Sequence, residues 1–161
     1  MNELSKHERS DLAKAYQNLI ASQQTLLLST VSERGEPSIS YAPYVRDQQG
    51  FYYIFTSELA GHTRDLLANK QAAIMFIQPE SESRELFARE RATNLCSVEE
   101  IASENSVYEQ QLAALHEQFG EIVTVLKSLS DFHLFALKPE SGQYVVGFGK
   151  AYNINIFGGT M

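Results

Sequence analysis

The residues best suited to chemistry in this sequence are His62, Thr63 and Arg64, which follow one another at the start of a short predicted helix. The first turn of a helix has unpaired N–H groups and the positive end of the helix dipole, so it attracts phosphate or carboxylate groups. Thr63 could add a hydroxyl donor and Arg64 a bidentate positive charge, while His62 lies within the same segment. The alternative is an ordinary solvated helix start, because Thr-Arg is common there.

More positive charge follows within residues 64–91. The basic side chains are Arg64, Lys70, Arg84, Arg89 and Arg91. The alternation over residues 86–97 predicts a strand that places Arg89 and Arg91 on the same face. The segment 92–126 has no Lys or Arg and several glutamates, which is typical of a solvated helix face.

The other candidate residues have weaker support. Pro43 falls inside a predicted strand, which indicates a sheet edge where backbone next to Tyr41 and Ala42 can meet a ligand, although an ordinary edge has the same pattern. His133 alternates with apolar neighbours, as a half-buried histidine with satisfied hydrogen bonds does. Residues 147–149, Gly-Phe-Gly, open no helix and predict a kink rather than a phosphate loop. No spacing supports a catalytic triad, paired carboxylates or a metal site, so no catalytic residue and no metal ligand is assigned.

Short β segments and helices must position these residues. An amphipathic helix is predicted over residues 4–22, a barrel over 25–97 and 131–154, and a helical insert over 98–129 that breaks at Gly120. A short helix is predicted over 61–69, and a turn at 139–142 joins the last two strands, 131–137 and 144–154. Short connections make successive strands antiparallel. The predicted fold is mainly β with inserted α, a small antiparallel barrel with flanking helices.

Composition excludes several classes of protein. The 161 residues are 43% hydrophobic and 20% charged, which predicts a single domain over 1–161. The formal net charge of −7 argues against nucleic acid as a partner. The single Cys96 cannot form an internal disulfide, and neither a signal peptide nor an apolar run of about 18 residues is present. A cytoplasmic protein without membrane partners is expected.

Six short motifs, taken in order, resemble those of the haem-utilisation HugZ/HutZ-type proteins. That family belongs to the pyridoxamine 5'-phosphate oxidase-like, FMN-binding split-barrel superfamily. The resemblance covers roughly residues 21–154. The motifs lie at residues 40–43, 62–66, 86–91, 119–122, 131–135 and 146–152.

The resemblance implies a six-stranded antiparallel split β-barrel that forms a homodimer, with a cofactor and a small-molecule ligand in the groove between subunits. FMN phosphate would bind at Thr63 and Arg64, and Arg89 would add charge from the barrel. The flavin would lie along Tyr41 and Ala42, with Ser57 close to its ring or ribitol chain. The main functional prediction is therefore an FMN-dependent oxidoreductase acting on an unknown small substrate.

The haem branch of the resemblance gives an alternative function, the binding or degradation of haem. In these proteins an acidic residue supports the histidine that ligates the haem iron, and Asp131 matches the acidic position. That histidine lies in a C-terminal segment, whereas residues 153–161 contain none. Either His62 or another side chain would then ligate the iron, or haem degradation has been lost in this protein. A third possibility is a flavin- or tetrapyrrole-binding module without enzymatic activity. The residues of the phosphate site favour FMN over haem.

Overall fold

The structure is a computed structural model, and it describes residues 4–154. The elements are α1 (Lys6–Ala21), β1 (Thr25–Val31), β2 (Pro37–Pro43), β3 (Val45–Arg46), β4 (Tyr52–Ser57), α2 (Gly61–Ala68), β5 (Gln71–Ile77), β6 (Arg91–Ile101), α3 (Ser106–Phe119), α4 (Ile122–Lys127), β7 (Phe132–Gly147) and β8 (Lys150–Asn153). None of the helices within these residues has the length and apolar character that crossing a membrane requires.

The strands form one antiparallel sheet in the order β2-β1-β5-β6-β7-β4-β3, and β8 pairs with β7. The two ends of this path, β2 and β3, are consecutive segments of one strand that is interrupted at Tyr44. Counted together they make six barrel strands, and β8 is an added hairpin strand. This confirms the predicted split-barrel fold with flanking helices.

The main core fills the inside of the barrel. Tyr44, Tyr52 and Phe76 meet there with ring centroids 5.4–5.5 Å apart, and all three are buried. Helix α1 packs on this core through Tyr16 and Ile20. Its N-terminus is fixed by a capping box, in which the Ser5 hydroxyl accepts from the Glu8 N–H and the Glu8 carboxylate accepts from the Ser5 N–H.

A second core lies outside the barrel, where α3 and α4 cover β4 and β7. Leu112 and Leu115 of α3 and Val123 of α4 pack there with Tyr53 and Leu134 from the strands. Strand β4 is therefore buried on both faces, whereas β1 alternates strictly between buried and exposed residues. Residues 4–154 leave the outer face of β1 and β2 uncovered.

The predicted helical insert starts too early at residue 98. Residues 98–101 continue β6, because Val98 and Ile101 pair with Leu137 and Leu134 of β7 and are buried. Helix α3 begins only at Ser106, after the Asn105 side chain accepts from the Val107 N–H at 2.9 Å.

The predicted turn at residues 139–142 is also wrong, because β7 runs through it without interruption. A β-bulge opposite Leu95 and Cys96 absorbs one extra residue, since Pro139 pairs with Cys96 while Ser141 pairs with Leu95. A proline is tolerated at such a bulge because it has no N–H to give to the ladder. The turn lies at residues 148–149, within the segment 147–149 where a kink was predicted, and it joins β7 to β8.

The strand predicted over residues 86–97 starts later in the structure than predicted. Leu86–Ala88 form a single 3₁₀ turn, in which the Glu85 side chain accepts from the Phe87 N–H. Strand β6 starts at Arg91. Arg89 lies before the strand. The prediction that Arg89 and Arg91 share one strand face is therefore wrong.

Candidate functional site

The loop that precedes α2 is tied to the start of β7 through Asp131. The pairing of β4 with β7 sets Ser57 opposite Phe132, next to Asp131 in the chain. The Ser57 hydroxyl donates to Asp131 Oδ2 at 2.5 Å, and the Glu58 N–H donates to the Asp131 carbonyl at 2.9 Å. Two predicted site residues, Ser57 and Asp131, are therefore in direct contact at the loop that leads into His62.

The imidazole of His62 is available to bind a metal ion or another ligand. Burial lowers the pKa of this half-buried imidazole below its ordinary value, against the opposing charge of Asp65, so it is uncharged at neutral pH. Its ring forms no hydrogen bond within residues 4–154. Every other histidine is held by a carboxylate: His7 by Asp11, His116 by Glu121, and His133 by Glu58 and Glu100. His62 is thus the histidine in the described chain that is ready to bind something else.

Thr63 faces the protein interior. The residue is 0% exposed, and its hydroxyl donates to the Thr56 hydroxyl at 2.8 Å. Thr63 and Leu66 are the buried residues of α2, three positions apart, and so form the face that packs on the barrel. In this conformation the Thr63 hydroxyl is directed to Thr56 rather than to a surface ligand.

Arg64 lies in an open cleft of about 660 Å³ between α2 and the β1–β2 turn. Gly61, Arg64 and Asp65 line one side of the cleft, and the turn contributes Arg34 with neighbouring serine and glutamate residues. Asp65 is partly engaged, because its Oδ2 accepts from the Thr30 hydroxyl at 2.7 Å. Arg64 forms no ion pair within the described part of the chain. The cleft therefore offers a free guanidinium to a small anion, although Glu33, Glu36 and Asp65 reduce the local positive charge.

The arginines that lie close in sequence do not form one cluster in the chain. Arg64 is near the end of the barrel where β5 begins, because the neighbouring Asp65 accepts from Thr30 of β1, and the preceding Ser29 pairs with Ala73 of β5. Arg89 is at the other end of β5, where its guanidinium donates from Nε to the Gln78 carbonyl at 3.0 Å. The seven residues of β5 separate these ends by about 20 Å, at about 3.3 Å per residue. Arg89 and Arg64 of one chain cannot hold the same phosphate.

Tyr41 and Ala42 lie on opposite faces of β2. Ala42 is 2% exposed in the core, whereas Tyr41 is 64% exposed on the outer face and is paired with Leu27 of β1. Ile39 lies on the same face and is 76% exposed. The predicted flavin-contacting strand thus presents an apolar surface, and a ligand or another protein surface could cover it.

The His133 ring lies between the carboxylates of Glu100 and Glu58, an arrangement that the sequence did not predict and that we call the His133 clamp. Its Nδ1 lies 2.5 Å from Glu100 Oε2 on β6, and its Nε2 lies 2.6 Å from Glu58 Oε1 in the β4–α2 loop. The half-buried character predicted for His133 fits this position, but the two partners come from distant segments. No group of three His, Cys, Asp or Glu side chains suited to a metal ion occurs in residues 4–154.

Comparison with known proteins relates this chain to proteins of two descriptions. Residues 12–146 match the family model described as pyridoxamine 5'-phosphate oxidase. Heme oxygenase HutZ of Vibrio cholerae serotype O1 is 42% identical over 133 residues, which are 83% of this chain and 75% of the relative.

Solved structures extend this likeness. The structure of HutZ, described as a heme storage protein from Vibrio cholerae, superposes with a TM-score of 0.75 at 39% identity, over 80% of this chain and 90% of that one. Campylobacter jejuni ChuZ superposes with a TM-score of 0.81 at 28% identity. The match with ChuZ covers 96% of this chain but only 61% of the ChuZ chain.

Proposed function

The chain belongs to the pyridoxamine 5'-phosphate oxidase family and, within it, to the HutZ-type haem-utilisation proteins, and from this premise we propose that it binds haem. The proposal reverses the order that the phosphate-site residues suggested, in which FMN came before haem. The two relatives at 42% and 39% identity are described by haem oxygenation or storage, and the family description alone favours a flavin.

The observation that carries the proposal is the free imidazole of His62. Iron in haem is commonly ligated by a neutral histidine nitrogen, and His62 is uncharged, half-buried and without a hydrogen bond in the described chain. The other histidines would have to give up carboxylate partners in order to bind iron. The C-terminal residues 153–161 contain no histidine, and residues 155–161 lie outside the described residues.

Asp131 is proposed as the residue that orients the ligand. Histidines that bind a metal usually donate their second N–H to a carboxylate or carbonyl, which fixes the tautomer and the ring orientation. Asp131 is held by Ser57 at the loop leading to His62, so its carboxylate is fixed in place, and within residues 4–154 it has no cation as partner. Haem would supply the iron at which oxygen chemistry occurs, and this chain would bind and orient it.

A haemin titration followed by absorbance tests the proposal. Wild-type protein should show a saturable Soret band, and His62→Ala should weaken binding and shift the band because the axial ligand is lost. Asp131→Asn should keep the binding but shift the band, since the carboxylate proposed to orient the ligand becomes a neutral amide. His7→Ala, at an exposed position of α1, is the matched control. A His62→Ala spectrum identical to wild type would refute the role of His62, and absence of saturable binding would refute the function.

FMN is the second candidate ligand, favoured by the free Arg64 guanidinium in the 660 Å³ cleft. A phosphate there would meet the N-terminal end of α2 together with Arg64. Titration with FMN should quench flavin fluorescence, and Arg64→Gln should weaken binding about tenfold, as expected for loss of a charged hydrogen bond. Arg84→Gln, a loss of the same charge at an exposed position, should have no effect. Equal affinities of Arg64→Gln and wild type would exclude this phosphate site.

The proposed assembly is a homodimer formed by the outer face of β1 and β2, with the ligand groove at the interface. Leu27, Ile39 and Tyr41 are exposed there, and large exposed apolar patches usually mark interaction sites. A second copy would also bring its own Arg89 and Arg64 to the shared groove, which one chain keeps apart. The buried free thiol of Cys96 suits the proposed cytoplasmic location.

A further inference from the structure

The loop between β4 and α2, which leads to His62, is attached to β7 by backbone and side-chain contacts. The Glu58 N–H donates to the Asp131 carbonyl at 2.9 Å, and the Ser57 hydroxyl donates to the Asp131 carboxylate at 2.5 Å. The Glu58 side chain reaches further along β7, where its Oε1 lies 2.6 Å from His133 Nε2. The position of this loop therefore depends on Asp131 and on the His133 clamp.

The His133 clamp is complete only when the imidazole carries both of its protons. Its Nδ1 lies 2.5 Å from Glu100 and its Nε2 lies 2.6 Å from Glu58, so each ring nitrogen has to donate to a carboxylate. A neutral imidazole has a single N–H and would turn the lone pair of its other nitrogen towards a carboxylate oxygen. Because that contact is repulsive, loss of one proton releases one of the two glutamates.

The charges that act on His133 come from Glu100 of β6 and Glu58 of the loop. On its other sides the ring meets uncharged groups: Thr56 of β4 is opposite His133 in the strand register, and Phe135 stacks on the ring with centroids 6.1 Å apart. Burial lowers the pKa of His133, but the hydrogen bonds and charges of the two glutamates raise it by more. The clamp therefore loses its proton above the ordinary value of about 6.5.

Glu58 is the partner that the neutral imidazole releases. The backbone of Glu100 is fixed by its pairing with Phe135 in the β6–β7 ladder, whereas Glu58 belongs to a loop. The Glu58 side chain is also the more exposed one, at 54% against 39% for Glu100, so water replaces the imidazole more easily there. Deprotonation of His133 thus removes one attachment of the β4–α2 loop.

We propose that the His133 imidazolium is a positioning residue for the haem site, which holds the β4–α2 loop and His62 in place through Glu58 and releases them when it loses a proton. The consequence for haem rests on the proposed function, whereas the release of the loop is a property of the protein without haem. After the release, Asp131 still holds the start of the loop. Binding of haem through His62 should therefore become weaker, and not disappear, as pH rises.

The release is tested without haem, by following the Leu59 and Ala60 amide resonances of ¹⁵N-labelled protein between about pH 6.5 and 9.5. In wild type these resonances should shift together with those of the His133 ring. Burial lowers the pKa of His62, so its titration falls mainly below this range. In Glu58→Gln the side-chain amide can donate to the neutral Nε2, so the loop stays attached and its shifts should be less than half of those in wild type.

The consequence for binding is tested by haemin titration at both ends of this pH range. The affinity of wild type should fall about threefold more than that of Glu58→Gln, as expected when one hydrogen bond that holds the loop is lost. Both proteins bind the same haemin, so its own ionisation cancels in the comparison. His116→Gln is the matched control, because it removes a histidine that a carboxylate holds outside this loop, and it should behave as wild type in both experiments.

The proposal is overturned if the loop amides of wild type and Glu58→Gln titrate alike, if His116→Gln removes the titration, or if haem affinity has the same pH dependence in wild type and Glu58→Gln. A wild type that binds no haem would refute the proposed function, and with it the role of His133 at the haem site. The amide titration would still decide whether His133 releases the loop.

Discussion

At the scale of single residues, hydrogen-bond partners separate the four histidines. Three of them are paired with carboxylates, and His62 alone keeps its ring free within residues 4–154. Burial and pairing also act in opposite directions on their pKa values: burial lowers that of His62, whereas two glutamates raise that of His133. The same residue type thus suits ligand binding at one position and structural pairing at another.

The His133 clamp predicts a pH-dependent contribution to stability. Burial lowers the pKa of His133, but the hydrogen bonds and charges of Glu100 and Glu58 together raise it by more than burial lowers it. The pKa in the folded protein therefore lies above the ordinary 6.5. A raised folded pKa means that the stabilisation is complete below about pH 6.5 and is lost as pH rises through the folded value. His133→Gln should therefore lower the free energy of unfolding by about 1–2 kcal/mol at pH 5.5, and by less at pH 9.

Urea unfolding of wild type and variant at both pH values measures this difference. His7→Gln is the control, because His7 is exposed on α1 and pairs with Asp11 at the surface. An equal loss of stability for His133→Gln at pH 5.5 and pH 9 would contradict the clamp.

At the scale of elements, the long pairing of β6 with β7 organises the molecule. The pairing continues on both sides of the bulge at Pro139 and so forms part of the barrel wall. Helices α3 and α4 pack on its outer side. Gly142 lies in the middle of this pairing, opposite Asn94. The two strands approach so closely there that a side chain on Gly142 would meet the partner strand.

Gly142→Ala should therefore destabilise the protein. An added Cβ would lie 2.3 Å from the Thr93 carbonyl oxygen and 2.6 Å from Asn94 Nδ2, which forces β6 and β7 apart. Overpacking of this kind costs about 1–3 kcal/mol in the free energy of unfolding. Gly147→Ala, in the same strand with 4.0 Å to the nearest side-chain atom, should change it by less than about 0.5 kcal/mol. Equal urea midpoints for the two variants would show that the strands can separate without cost.

At the scale of the whole molecule, the two outer faces of the barrel differ. Helices α3 and α4 cover one face, and the β1–β2 face has no cover from the described chain. The proposed homodimer would bury that face and would form the ligand groove between two copies. The charge of the groove and the binding of a ligand in it would then depend on residues from both subunits.

Ile39→Asp tests this assembly. Placing a carboxylate in an apolar interface without a partner is costly, so the variant should dissociate at micromolar concentration, where the wild type should sediment as a dimer. Val125→Asp is the matched control, since Val125 is 56% exposed on α4, away from the β1–β2 face. A monomeric wild type, a dimeric Ile39→Asp, or dissociation of Val125→Asp instead would each contradict the proposed interface.

Local features of the chain were predictable from the sequence alone. The short helix ends at Asn69 as predicted, and the helical insert breaks at Gly120, where φ is +87°. Such features depend on neighbouring residues and on backbone conformations that glycine adopts most easily. The motifs also indicated the family and its split barrel, because the order of motifs along the chain can be compared with that of known families without knowledge of tertiary contacts.

Tertiary structure decided the rest, because those properties depend on strand register across long sequence separations. It turned the Thr63 hydroxyl towards Thr56, placed Arg64 and Arg89 at opposite ends of β5, and paired His133 with Glu58 and Glu100. It also carried β7 through Pro139 by a bulge that only the partner strand reveals. The sequence alone determined which residues were available for chemistry, and the packing of distant strands determined which of them remained free.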